Sequence, residues 1–207
     1  MKRKLVLTLT LLALCASHAA AQEGETRPAS FDSSAVARKL SSRVPTERRA
    51  AAEELARLAA PEHRRLAEGY RAQEKDTRVK LALEWALYRM GKNESLFPLV
   101  RALDEKKEAG QVVAYLKQLE GPDPLYVFLN RVNGATQIRL LEVLASVGDR
   151  ATLEKIRPFT ESLDPLIADA AKFAEREINI RLEETPAVET KRERKVGDAA
   201  GDARPPL

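Results

Sequence analysis

Helical breaks recur along this chain about every thirty residues. Apolar positions at helical spacing are interrupted so that ten helices pair into five units. The second helix of each pair begins near residues 45, 76, 107, 135 and 164, at spacings of 31, 31, 28 and 29. A helix–turn–helix unit of that length has an apolar stripe too large to bury by itself. Such units bury it by stacking on their neighbours, which makes the expected fold an all-α, right-handed α-solenoid of about five helix pairs.

The composition from Phe31 to Glu184 agrees. Ala, Leu, Glu, Arg and Lys dominate, β-branched residues are sparse, and no sustained alternation of period two marks a strand. Stops and starts are legible. Pro45 sits in the first turn of a helix reaching about Leu58, and Pro61 opens the next, to about Gln73. Asp76 is the expected N-cap of a helix to Met90, where Gly91 ends it. Asn93 is expected to cap a helix to about Leu103. Helices follow over 108–119, 124–132, 136–147, 149–163 and 164–184, with breaks at Gly121, Asn133 and Gly148.

Residues 76–103 carry the clearest copy of the unit. Val79, Leu83, Ala86, Leu87 and Met90 share one helical face, and Pro98, Leu99 and Leu103 follow in the next helix. With Asp76, the Val79–Lys80 pair, Ala82 and Gly91, this stretch resembles the HEAT-repeat family in its short bacterial form. Weaker copies carry the same resemblance: Arg48, Arg49, Ala51, Leu55 and Leu58; then Arg139, Leu141, Leu144, Gly148 and Asp149; then Asp164, Pro165, Ile167, Ala170, Ala171 and Ala174. The resemblance covers residues 32–184. Two departures stand out: Leu83 occupies a position the family usually fills with a small residue, and the third pair offers only Gln111, Val112 and Val113 for the Val-Arg signature. In such proteins the second helices line a concave binding face, so the resemblance places the 76–90 helix there.

The ends of the chain read differently. Lys2, Arg3 and Lys4 precede an apolar run from Leu5 to Ala16 and an Ala-x-Ala pattern ending at Ala21. This has the form of a secretory signal peptide over 1–21, and a run of 12 residues is short against the ~20 that a membrane-spanning helix needs. No transmembrane span is expected after cleavage. The protein is expected to be exported, periplasmic or secreted. The only cysteine, Cys15, lies inside that run. Leu14 before it is too large for a lipoprotein signal, so lipid anchoring is not the expected outcome. Residues 22–31 read as a flexible leader. Residues 185–207 read as a disordered tail, in which Lys191 to Lys195 form a solvated basic run.

Charge argues against nucleic acid as a partner. The chain has 35 basic and 31 acidic residues. Three basic residues fall in the signal peptide over 1–21 and no acidic ones do, so the remaining chain carries 32 against 31. Chemistry is equally sparse. After Cys15 and His18 are removed with the leader, one histidine, His63, remains, and it sits at the polar start of a helix where solvent exposure is expected. A zinc site of the usual ligands cannot be assembled, and no phosphate loop or nucleophile elbow is present. The expected cofactor and metal inventory is none, and no catalytic residue is assigned.

One stretch carries more apolar surface than a single face requires. Leu81, Trp85 and Tyr88 form a second stripe on the 76–90 helix, flanked by Arg78, Lys80 and Arg89. Two readings are open. The stripe is buried between neighbouring helices, or it is an aromatic anchor for a partner, since Trp, Tyr and Arg dominate interface energetics. Tyr115, Tyr126 and Phe128 lie in short apolar runs and read as core. The expected function is a non-enzymatic scaffold that presents its surface to a partner protein or peptide. The alternative is a HEAT-like enzyme, lyase-like or glycosylase-like, with an aromatic and basic groove. The leader reading has its own check: N-terminal sequencing of the exported protein should begin at Gln22. A start at Met1, or a lipid on Cys15, overturns it.

Overall fold

In the computed structural model of the chain, residues 33–184 are described. The expectations for 1–21, 22–31 and 185–207, including Cys15 and the basic run, lie outside them. The described residues form ten α-helices and no strand. These are α1 (Ser33–Arg38), α2 (Pro45–Leu58), α3 (Arg64–Gln73), α4 (Thr77–Arg89), α5 (Leu96–Ala102), α6 (Ala109–Leu116), α7 (Asp123–Leu129), α8 (Gly134–Val147), α9 (Arg150–Thr160) and α10 (Pro165–Glu184). Short 3₁₀ turns precede α2, α3 and α5. No described helix is long and apolar enough to cross a membrane.

The even-numbered helices touch in succession, α2 on α4, α4 on α6, α6 on α8 and α8 on α10, while odd-numbered ones pack beside their even neighbours. The most extensive contacts are α2 with α4 and α8 with α10. Their sequences explain this. Ala51, Ala52 and Ala56 of α2 are buried with Ala82 and Ala86 of α4, and Ala171 and Ala174 of α10 are buried near Leu140 and Leu144 of α8. Small side chains let helix axes approach closely. Leucines then fill the space between layers: Leu55, Leu83, Leu87, Leu99, Leu116, Leu125, Leu140, Leu141 and Leu144 are all fully buried.

Polar groups hold the ends of these helices. The Asp76 carboxylate accepts from the backbone N–H of Arg78 and of Val79, both at 3.0 Å. Asp149 and Thr152 form a reciprocal capping box at the start of α9. Two arginines serve the last carbonyls of earlier elements. Arg139 of α8 donates to the Leu103 carbonyl, and Arg181 of α10 donates to the Ala145 and Gly148 carbonyls at 2.8 and 2.6 Å. Arg139 and Arg181 each reach back 36 residues, to Leu103 and to Ala145. Such contacts satisfy helix-terminal acceptors and suit the negative end of the helix dipole. Glu74 grips Arg48 through both oxygens, at 2.8 and 2.9 Å. That guanidinium, helped by the backbone N–H groups of Asp76 and Lys75, lowers the Glu74 carboxyl to about 2 against the desolvation that opposes it.

Some junctions differ from expectation. Asn93 does not cap the helix after Gly91; it starts a 3₁₀ turn that leads into α5. Helices α6 and α7 are shorter at their C-terminal ends than the apolar pattern suggests, because Leu119 and Val132 are half-buried or buried in turns rather than helix. Gly91 is left-handed at φ 90°, as a glycine stop requires. Gly148 is not, at φ −66°. Its role is steric: a Cβ there would lie 2.5 Å from the Leu144 carbonyl and 2.7 Å from Ile178 of α10. The left-handed turn that glycine would favour is instead at Ala59, φ 47°, at the end of α2. Two substitutions should therefore move stability in opposite directions. In urea unfolding, Gly148→Ala should cost about 1–3 kcal/mol through overpacking, while Ala59→Gly should add about 0.5–1 kcal/mol by relieving the αL penalty.

Candidate functional site

The middle of helix α4 lies under its neighbours on all sides. Every residue from Leu81 to Leu87 is buried, including one charge, Glu84. Glu84 is compensated by Arg71 of α3, whose Nη1 donates to it at 2.9 Å. Of the residues singled out in the sequence, Leu81 and Trp85 are buried, with Trp85 only 2% exposed. Tyr88 and Arg89 are half-buried, and Arg78 and Lys80 are exposed. Burial is thus the reading the structure shows for Leu81 and Trp85.

The tryptophan is the centre of an aromatic stack. Tyr88 and Tyr115 lie on it at centroid distances of 5.7 and 5.8 Å, and the Arg89 guanidinium sits 5.8 Å from its ring. Arg89 is placed there by the Gln118 carbonyl at 3.5 Å and Glu120 at 3.7 Å. Tyr115 of α6 then reaches past α4 to α2: its hydroxyl donates to Glu53 at 2.6 Å. Gln111 braces it, donating to the Tyr115 oxygen at 2.6 Å and to the Arg78 carbonyl at 2.9 Å. Burial pushes the Tyr115 phenol up, and the hydrogen bond to Glu53 adds to the shift. The phenol is a fixed donor, with no tendency to ionise near neutral pH. Helices α2 and α6 are thus tied together over Trp85, and the second stripe closes this part of the layer from within.

His63 is not solvent-exposed as expected. Its side chain is 15% exposed, and Nε2 lies 3.0 Å from the Ser33 hydroxyl. That hydroxyl donates to Glu62 at 3.0 Å, so the ring must donate to Ser33. Activation of a serine nucleophile requires the opposite direction of proton donation. The contact ties α1 to the turn before α3. Tyr126, read as core, is half-buried and bonds to Thr152 at 2.7 Å and Asp149 at 3.2 Å, joining α7 to α9. Among the described residues, no group of three His, Cys, Asp or Glu side chains is placed to hold a metal ion.

The open apolar surface lies elsewhere. Phe97 of α5 is 53% exposed and meets the buried Phe128 of α7 edge-on, at 5.0 Å and 73°. This pair forms the waist of a furrow. On one side is a hollow of about 670 Å³ lined by Val100, Arg101, Asp104, Arg131 and Thr136. On the other is one of about 410 Å³ lined by Tyr88, Leu96, Asp123, Pro124 and Val127. Arg101 and Arg131 are exposed, and neither is within ion-pair distance of a described carboxylate. A second hollow of about 870 Å³ runs between α8 and α10, lined by Ile138, Glu142, Leu166, Ala170 and Phe173. The sequence held a signal for Phe97. Leu96, Leu99, Val100 and Leu103 complete the core row of α5, and Phe97 stands one position off it.

No family model matches the chain, and no similar curated protein or solved structure was found.

Trp85 is the only tryptophan, so its stack is directly observable. Trp85→Ala should destabilise by about 3–5 kcal/mol, the range for removing a large buried aromatic. Tyr115→Phe should leave the fold intact and increase acrylamide quenching of Trp85 fluorescence, because the tie to Glu53 is lost. Unchanged quenching would show that the tie does not shield the ring.

Proposed function

We propose that this chain is a non-catalytic interaction module, and that the furrow crossed by Phe97 and Phe128 seats a segment of a partner protein. The finer architecture belongs to the same reading: five helix pairs wound right-handed in the manner of HEAT repeats. The succession of even-numbered helix contacts and the thirty-residue period support it. The form of residues 1–21 supports a site of action outside the cytoplasm.

One observation carries the functional reading. Phe97 is a half-exposed aromatic ring packed edge-on against a buried one, at the junction of two hollows. An aromatic anchor costs little entropy to order, and its exposure leaves apolar area uncovered. The rim gives the chemistry of the partner. Arg101 and Arg131 outnumber Asp104 at one end, so the matching segment has an apolar side chain for the waist and a carboxylate beside it. The buried Tyr115 phenol and the Ser33–His63 contact offer no nucleophile or general base at this furrow.

A photo-crosslinker placed by Phe97→p-benzoylphenylalanine tests the proposal in the producing cells. A discrete adduct is expected, with its yield reduced at least about tenfold when Arg101→Glu and Arg131→Glu are added, the scale of a lost rim charge pair at each position. All three positions are exposed, so stability should stay within about 1 kcal/mol. Absence of an adduct, or a yield indifferent to the two charge reversals, overturns the assignment.

A further inference from the structure

Helix α10 exposes a row of apolar side chains that no described element covers. Leu166, Phe173 and Ile180 are 65, 43 and 49% exposed. They are spaced seven residues apart, which places them within about 40° of one another on the helix and spreads them over about 21 Å. The core row of the same helix, Ile167, Ala171, Ala174 and Ile178, lies on a different side and is buried. The exposed row borders the hollow shared with α8. A solenoid end normally presents polar residues to solvent.

We infer that this row is a self-association surface, on which the α10 helix of a second copy of this chain packs antiparallel about a two-fold axis at Phe173. The row is symmetric about that residue. Under the two-fold, Phe173 meets its own copy, and Leu166 meets Ile180 of the other chain. The charges beside the row obey the same symmetry. Asp169 and Arg176 lie on one flank of it, both exposed, and neither forms an ion pair with a described side chain. An antiparallel pair brings like flanks together, and the axis at Phe173 sets Asp169 level with Arg176 of the second copy to within about one residue rise, ~1.5 Å. Two equivalent ion pairs result. On the other flank Glu177 faces the small Ala170, so no like charges are opposed. A parallel pair would set Arg176 near Glu177 but leave Asp169 facing Ala170. The antiparallel arrangement satisfies both charges. Residue i contacting j while j contacts i is the signature of an isologous interface. The hollow along α8 gives the incoming Leu166 and Ile180 side chains a place to settle.

This surface is separate from the Phe97 furrow, so the two readings fail independently. The test uses the full exported chain in sedimentation velocity from about 1 to 200 µM, a range that spans the weak end of specific association. A monomer–dimer equilibrium is expected. Phe173→Glu should weaken it at least about thirtyfold by placing two carboxylates on the axis. Asp169→Arg and Arg176→Asp should each weaken it about three- to tenfold, and the double charge exchange should restore it. Ile180→Ser, near the end of the row, provides a second apolar variant with helix content checked by circular dichroism. A monomer throughout the range overturns the proposal. So does a dimer that tolerates both Phe173→Glu and Ile180→Ser. Sensitivity to Arg176→Asp without sensitivity to Asp169→Arg identifies the parallel arrangement and overturns the antiparallel one.

Discussion

The structure depends on one helix being covered on every side. From Leu81 to Leu87, two full turns of α4 have no solvent-facing residue. No single neighbour can do that. Helix α2 covers one face, α3 and α5 pack alongside, and α6 brings Tyr115 over Trp85. Each buried Leu or Trp contributes about 1.5–3 kcal/mol relative to exposure, so Leu81, Leu83, Trp85 and Leu87 together outweigh any polar contact in the region. Glu84 is the exception within this stretch. A buried ion pair contributes little net stability, but an unpaired buried carboxylate costs several kcal/mol. The Arg71 bridge is therefore a constraint on α3: its position is tied to α4 by a charge that has no other partner.

That central burial was half visible in the sequence. The Val79-Leu83-Leu87 face and the Leu81-Trp85-Tyr88 stripe are two apolar rows on one helix, which only an interior position accommodates. Asp76 and Gly91 bound the helix by local chemistry, and both act as local chemistry dictates. What could not be read were features set by distant contacts. Gly148 looks like a helix stop, yet its φ is ordinary and its need is room for Ile178, thirty residues on. Ala59 adopts the left-handed turn without the glycine that would announce it. His63 looks exposed because its neighbours in sequence are charged, whereas the Ser33 hydroxyl that shields it is thirty residues earlier. Period and capping are local signals; close approach and side-chain pairing between helices distant in sequence are not.

The same division applies to candidate surfaces. Aromatic content led to Trp85, because tryptophan is rare and large. Large aromatics are also what a core needs most, and Trp85 is stacked with both Tyr88 and Tyr115. Phe97 carries less signal in the sequence. It is one aromatic in a short helix whose core row is already complete, and that redundancy is the physical reason it is left outside.

Closure over Trp85 also bears on where a partner surface can exist. The Glu53–Tyr115 hydrogen bond joins α2 to α6 past α4. Between α8 and α10 the tie is Arg181, which donates to the Ala145 and Gly148 carbonyls and leaves a hollow beside it. The hollow there is bordered by Ile138 and Phe173, and α10 is the last described helix, so no described element covers Leu166, Phe173 and Ile180. Apolar area stays open where a helix has no described neighbour on one side, and at gaps between adjacent helices. The Phe97 furrow is such a gap, between α5 and α7, and the α10 row is such an uncovered face. Their apolar character follows from where described neighbours are missing, whereas the charges beside them do not. Arg101 and Arg131 at one, and Asp169 opposite Arg176 at the other, are what distinguish a surface that selects a partner from one that is merely uncovered.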